Sequence, residues 1–151
     1  MKFATLPNGT LDGQLHLVSR DLTRATAAKD VATMQALIEN WESLAPALEA
    51  QYAALNAGGG EAFDMTQALA PLPRAWQWLD GSAYESHGDL MQKVFKMDPV
   101  PKGRPLMYQG MSHEFLPATA DVPFPSEADG IDIEGEFGII CDAVPMGTDA
   151  Q

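Results

Sequence analysis

The chain has 151 residues, 46% of them apolar, and a single cysteine, Cys141. That is enough for one ordinary domain, or for a small domain and part of another, and it excludes a disulfide framework and a thiolate metal centre. A net charge of −12 argues against nucleic acid as a partner, and with no signal peptide and no long apolar run the chain reads as cytoplasmic, without a membrane span.

Lys2–Leu6 reads as a short apolar strand, followed by turn signals at Pro7-Asn8-Gly9 and Asp12-Gly13. Gln14–Ser19 alternates, with Leu15 and Leu17 on one side and His16 and Val18 on the other, so the opening is expected to be a β-hairpin or small meander with His16 on its surface. From Val31 to Asn56 the period becomes helical: Met34, Leu37, Ile38, Trp41, Leu44, Leu48, Tyr52 and Leu55 recur at spacings of three and four. Pro46 within this run either opens a second helix at its first turn or kinks a single one. Gly58-Gly59-Gly60 closes the helical region, and the Pro-bounded stretch Leu69–Pro73 marks the boundary between two units, 1–73 and 74–151.

In the second unit Trp76–Asp80 is expected to be extended. Ser82 with Glu85 three residues on fits a capping box. Leu90, Met91, Val94 and Phe95 then give an apolar helical face over residues 83–96, and His87 falls on that same inward face. A histidine there is ordinarily a satisfied core residue. Its place beside Asp80 at a helix start, where backbone N–H groups gather, is what makes it a candidate for function. Met97–Arg104 is a Pro/Gly/Lys loop, Leu106–Gly110 a short strand, and Pro117–Pro125 a Pro-punctuated connection.

Ile131–Ile140 alternates again. Asp132, Glu134 and Glu136 fall on one side, and Ile131, Ile133, Phe137 and Ile139 on the other, which is strand periodicity. Three carboxylates within roughly 14 Å, at about 3.4 Å per residue, repel unless a cation sits among them. Oxygen donors of this kind suit Mg²⁺ or Ca²⁺; the plainer alternative is a solvated polar face on a half-buried strand. The charge distribution bears on the choice. All nine Lys and Arg lie at or before Arg104, whereas Pro105–Gln151 carries nine Asp and Glu and no Lys or Arg, an acidic half that calls for a cation or a basic surface.

These motifs together resemble the N-terminal portion of a fumarylacetoacetate hydrolase (fumarylacetoacetase) family protein of the bacterial type. Ile131-Asp132-Ile133-Glu134-Gly135-Glu136-Phe137 is similar to the family's Glu-x-Glu metal strand, Asp80 followed by His87 has the spacing of its metal-binding Asp and general-base His, and Pro105–Gly110 resembles the strand that supplies a substrate-contacting Tyr. Met1–Arg24 also looks like the opening of such proteins. The resemblance implies an α+β chain, with a small hairpin-and-helix domain over 1–73 and, over 74–151, the first part of a mostly-β catalytic roll. It implies Asp80, Glu134 and Glu136 as ligands of Mg²⁺ or Ca²⁺, His87 as the base that activates water, and Tyr108 as a substrate contact. Lys96 falls where some members carry Arg, and Ser82 where those members have Tyr; the two are carried over as substrate-binding positions that depart from the family pattern.

The implied reaction is hydrolytic cleavage of the C–C bond of a 1,3-diketo acid such as fumarylacetoacetate or an acylpyruvate, in aromatic or amino-acid catabolism. Decarboxylation or tautomerisation of a β-keto acid on the same scaffold, or a non-catalytic chain, are the alternatives. Family members continue past this length, and the continuation supplies a further Asp ligand, a Lys and most of the roll. The chain is therefore expected to be a fragment, split subunit or truncated product, acting as a homodimer at full length or with a complementary C-terminal half.

Overall fold

The computed structural model describes residues 1–82, 84–99, 103 and 105–149. Lys102 and Arg104 of the expected loop lie outside the described residues. The chain packs as two units, Met1–Arg74 together with the chain from Phe115 onward, and Ala75–Glu114.

In the first unit, β1 (Phe3–Leu6) and β2 (Gln14–Val18) form the expected antiparallel hairpin, with Phe3 opposite Leu17 and Leu6 opposite Gln14. The sheet continues to β3 (Arg24–Ala27) and the two-residue β4 (Glu61–Ala62), in the order β1-β2-β3-β4. These two additional strands leave little trace in the sequence. The only apolar side chains of β3 are two alanines, Ala25 and Ala27, and β4 is defined by its ladder with β3 rather than by its own pattern.

The helical run divides into α1 (Met34–Glu39) and α2 (Trp41–Asn56). Thr33 caps α1, its side chain accepting from the Ala36 N–H at 3.1 Å. The break falls at Asn40, which serves both helices: its N–H donates to the Leu37 carbonyl, and its own carbonyl accepts from Ser43 and Leu44. Pro46 therefore neither opens the second helix nor divides the run; it sits inside α2.

The core lies between one face of the sheet and the helices. Leu15 and Leu17 from β2 meet Leu37 from α1 and Leu48, Tyr52 and Leu55 from α2, joined by Ala28 and Val31. The spacing of Leu48, Tyr52 and Leu55 puts them on one helical stripe, and each such burial is worth about 1.5–3 kcal/mol. Trp41 is at the rim, 45% exposed, with its ring edge-on to Phe3. On the other face of the sheet Ala4, Val18 and Ala25 pack with Phe63. The stretch that follows is strapped to β1: the Leu69 N–H donates to the Thr5 carbonyl at 2.9 Å, and the buried Thr5 hydroxyl donates to the Pro71 carbonyl at 2.7 Å. His16, expected on the surface, is half-buried, its Nδ1 3.0 Å from the Gln14 carbonyl.

After Phe115, whose N–H bonds the Pro73 carbonyl, the described residues form no further helix or strand beyond one short turn. Every described residue from Asp121 to Asp149 is exposed, and Glu127–Asp129 is a single 3₁₀ turn. The strand expected over Ile131–Ile140 is not formed. Its alternating pattern specifies which side each residue would take, but a strand exists only when another backbone completes its ladder. With none present among the described residues, Ile133, Phe137 and Ile139 are 92%, 97% and 88% exposed.

The second unit is an antiparallel ribbon of β5 (Leu79–Ser82) and β6 (Leu106–Gln109), with α3 (Glu85–Phe95) between them in sequence. Among the described residues no helix is long and apolar enough to cross a membrane.

Candidate functional site

Asp80, Ser82, His87, Lys96 and Tyr108 all lie in the second unit. The β5–β6 register sets Asp80 opposite Tyr108 and Ser82 opposite Leu106. Residues directly opposite in an antiparallel ladder share a face, and so do alternate residues along each strand. Asp80, Ser82 and Tyr108 are thus on one side of the ribbon, with Cβ atoms of opposed residues about 4.5–5.5 Å apart. The ladder runs one pair further, through the Gly110 N–H to the Trp78 carbonyl at 3.1 Å. The Trp78 ring meets the Tyr108 ring edge-on, with centroids 5.8 Å apart and planes at 77°, an arrangement aromatic quadrupoles favour.

Trp78 is not among the residues that the motifs single out. The signal for it is the period-two run Trp76, Trp78, Asp80, which puts an indole next to the carboxylate on the same side of an extended segment. Gly110 belongs to the same arrangement. A Cβ added there would overlap Trp78 Cζ3 and Cε3.

Helix α3 departs from expectation at its start. Ser82 belongs to β5, and the N-cap is Tyr84, which makes no side-chain capping bond. The Tyr84 carbonyl receives the N–H groups of His87 and Gly88. His87 is exposed rather than inward-facing. The physical reason is that no described residue of α3 is buried: Leu90, Val94 and Phe95 are 57%, 61% and 61% exposed, so the apolar stripe expected to carry His87 inward has no core beneath it. Glu85 in the first turn and Lys93 in the last complement the helix dipole. Lys96 closes the helix in a left-handed conformation, φ 53° and ψ 41°, its N–H bonding the Gln92 carbonyl.

Glu134 and Glu136 lie in the exposed segment after Phe115. By donor chemistry they and Asp80 suit a hard divalent cation. Among the described residues no three His, Cys, Asp or Glu side chains come together as a metal-holding group.

Two hollows open on the first unit. One, about 450 Å³, is apolar and lined by Phe3, Val18, Leu22, Phe63, Met65 and Leu69 among others. The other, about 310 Å³, is lined by Ser19, Arg20, Asp21, Arg24 and Asn56 among others. The arginines of the second are explained by α2. The Arg24 guanidinium donates to the carbonyls of Gly59 and Gly60 just past the helix, and Arg20 lies over the Tyr52 ring, 6.0 Å from its centroid. Cations at the carbonyl-rich end of a helix offset its dipole.

The architecture of Met1–Arg74, a four-stranded antiparallel sheet backed by helices, coincides with a known domain. Residues 1–74 match the family Fumarylacetoacetase N-terminal domain 2. Residues 1–74 are thus a fumarylacetoacetase N-terminal domain. A search of curated proteins finds no match to the chain. The fumarylacetoacetase N-terminal domain ends at Arg74, so every candidate site residue follows it in sequence.

Proposed function

We propose that the chain is the N-terminal part of a metal-dependent hydrolase that cleaves the C–C bond of a 1,3-diketo acid, fumarylacetoacetate or an acylpyruvate. The observation that carries this reading is the fumarylacetoacetase N-terminal domain followed directly by a ribbon with Asp80 opposite Tyr108. A carboxylate and a phenol on one strand face, flanked by the Trp78 ring, make a surface on which a metal ligand and a substrate contact are neighbours.

In this reading Asp80, Glu134 and Glu136 hold Mg²⁺ or Ca²⁺, and the ion, when bound, supplies Lewis-acid stabilisation of negative charge on the diketo acid oxygens. His87 takes a proton from the attacking water at a ring nitrogen. Tyr108 donates its phenolic hydrogen bond to the substrate, Ser82 adds a hydroxyl on the same face, and Lys96 offers an ammonium to the substrate carboxylate. The partner is a complementary C-terminal portion, supplied in the same polypeptide or by another, with a homodimer as the assembled form. The uniform exposure from Asp121 to Asp149 supports this: the apolar side chains of that segment have their packing partners elsewhere.

The test is to assay the 151-residue chain with Mg²⁺ or Ca²⁺ and acylpyruvates, alone and with the complementary portion added. The chain alone is expected to be inactive and the pair active. A pair that binds metal but turns over no diketo acid would favour decarboxylation, tautomerisation or a non-catalytic role on the same scaffold.

A further inference from the structure

We infer that Asn8 is a site of spontaneous self-modification, converting to aspartate and isoaspartate through a cyclic imide formed with the Gly9 backbone nitrogen. The chain has three asparagines, Asn8, Asn40 and Asn56. Two of them are tied into helices. The Asn40 side chain donates to the Ala36 carbonyl, and the Asn56 side chain both donates to the Tyr52 carbonyl and accepts from the Arg20 N–H. Each is followed by a residue with a side chain, Trp41 or Ala57, which crowds the nitrogen that would attack.

Asn8 differs on every count. It lies in the exposed turn between β1 and β2, and the next residue is glycine, with φ +84° and open space where a Cβ would stand. The Asn8 Oδ1 accepts from the Thr10 N–H at 3.0 Å and from the Thr10 hydroxyl at 2.7 Å. This is a turn in which the asparagine side chain bonds the backbone two residues on, so that Oδ1 reaches past Gly9 to Thr10. Both bonds withdraw electrons from the Cγ carbonyl, and both stabilise the negative charge that develops on Oδ1 when Cγ is attacked, the principle of an oxyanion hole.

In the first step the Gly9 N–H gives its proton to solvent hydroxide, the nitrogen forms a bond to Cγ of Asn8, and the Cγ–Nδ2 bond breaks as ammonia leaves with a proton from water. Water then opens the imide. Breaking the bond from the Gly9 nitrogen to Cγ leaves an ordinary aspartate at this position. Breaking the bond from that nitrogen to the backbone carbonyl carbon leaves isoaspartate, with an added methylene in the β1–β2 connection. One water is consumed, one ammonia is released, and no electrons are transferred. Asp12-Gly13, in the same connection, is not equivalent. Asp12 is held as a carboxylate by Arg74, and a carboxylate is a poor electrophile.

The experiment is peptide mapping by mass spectrometry of the intact chain incubated for days at neutral and mildly alkaline pH. The peptide carrying Asn8 is expected to gain the mass of amide-to-acid conversion ahead of those carrying Asn40 or Asn56, and faster at the higher pH. Asn8→Gln should abolish the gain. Thr10→Val, at an exposed position where the fold is checked by its thermal midpoint, should slow it several-fold by removing one of the two donors. An Asn8 peptide that keeps its mass, whether or not the Asn40 or Asn56 peptide converts, would overturn the assignment. An unchanged rate in a folded Thr10→Val chain would overturn the role given to the turn.

Discussion

Asp80 and Tyr108 stand directly opposite each other across the β5–β6 ladder. The two residues are far apart in sequence, and it is the register of a short ribbon that makes them neighbours. A slip of one residue would send one of them to the opposite face. Whatever fixes that register therefore fixes the candidate site, and the strongest fixed point is the contact between Trp78 and the notch at Gly110.

Gly110→Ala should accordingly disturb the ribbon more than its single added methyl suggests. The new Cβ overlaps the Trp78 ring, which packs against Tyr108. Overpacking of this kind costs about 1–3 kcal/mol. The expected result is a loss of the near-ultraviolet dichroism of Trp78 and Tyr108 with the first unit intact. Combining Gly110→Ala with Trp78→Ala should give less than the sum of the two effects, because the second change removes the clash. Strict additivity would show that the notch does not set the register.

How much of this is legible in the sequence depends on whether a pattern is satisfied locally or by distant backbone. Gln14–Val18 and the Leu48–Tyr52–Leu55 stripe are readable because their side-chain period and their burial coincide. The helix break at Asn40 escapes a reading that looks to Pro46, since Asn40 ends one helix and begins the next through backbone bonds that no period reveals. At Ile131–Ile140 the pattern is plain and the strand is absent, because alternation encodes a face and not a partner. The inward placement of His87 fails for a related reason: the apolar stripe of α3 is real, but it is uncovered.

The end of the N-terminal domain is held by an ion pair whose strength should vary with pH and salt. Arg74 donates to both carboxylate oxygens of Asp12, at 2.7 and 2.8 Å. These bonds hold the Asp12 carboxyl below the usual carboxylate range; burial opposes them, and the Arg74 charge adds a smaller lowering. Asp21 is lowered by hydrogen bonds from Ser19 and Thr23, and Asp64 by bonds from Thr66. A depressed folded-state pKa contributes stability that is present above the unfolded value, about 4, and is lost as pH falls through the folded value. Asp12→Asn should therefore lower the thermal midpoint at neutral pH and low salt. The difference from wild type should shrink in high salt, because the pair is largely open to solvent, and be lost as pH falls through the lowered Asp12 value; Asp21 and Asp64, present in both chains, do not enter it. A difference that persists undiminished in acid would assign the effect to something other than the charge.

Thr5 offers a test of the strap across β1. Its side chain is fully buried, and its hydroxyl is the donor to the Pro71 carbonyl. Thr5→Val keeps the shape and removes the donor, leaving that carbonyl without this bond. A destabilisation of about 1 kcal/mol is expected in urea unfolding, with Leu69 and Ala70 exchanging their amide hydrogens faster than in wild type. An unchanged exchange rate there would mean that the Leu69 N–H bond to Thr5 holds the strap unaided.

At Ile131–Ile140 sequence pattern and structure part. The segment alternates apolar and acidic residues, lies exposed, and has no ladder among the described residues. Such backbone opens at almost no free-energy cost, so its amide hydrogens should exchange at close to unstructured rates while those of β2 are protected. In the proposed hydrolase this segment becomes a strand when the complementary portion supplies its neighbours, and only then are Glu134 and Glu136 on one side of it. Adding that portion should slow exchange across Ile131–Ile140 and protect the segment from proteolysis. Divalent cation should slow it further, because ligand binding stabilises the form that binds. Glu134→Gln or Glu136→Gln should remove the cation's increment and leave the protection given by the partner. His87→Ala should leave both, and lower kcat by about 10²-fold or more if His87 is the base. A segment that stays open in the active pair would exclude it from the site. Cation protection that survives both glutamine substitutions would leave the ion to other ligands.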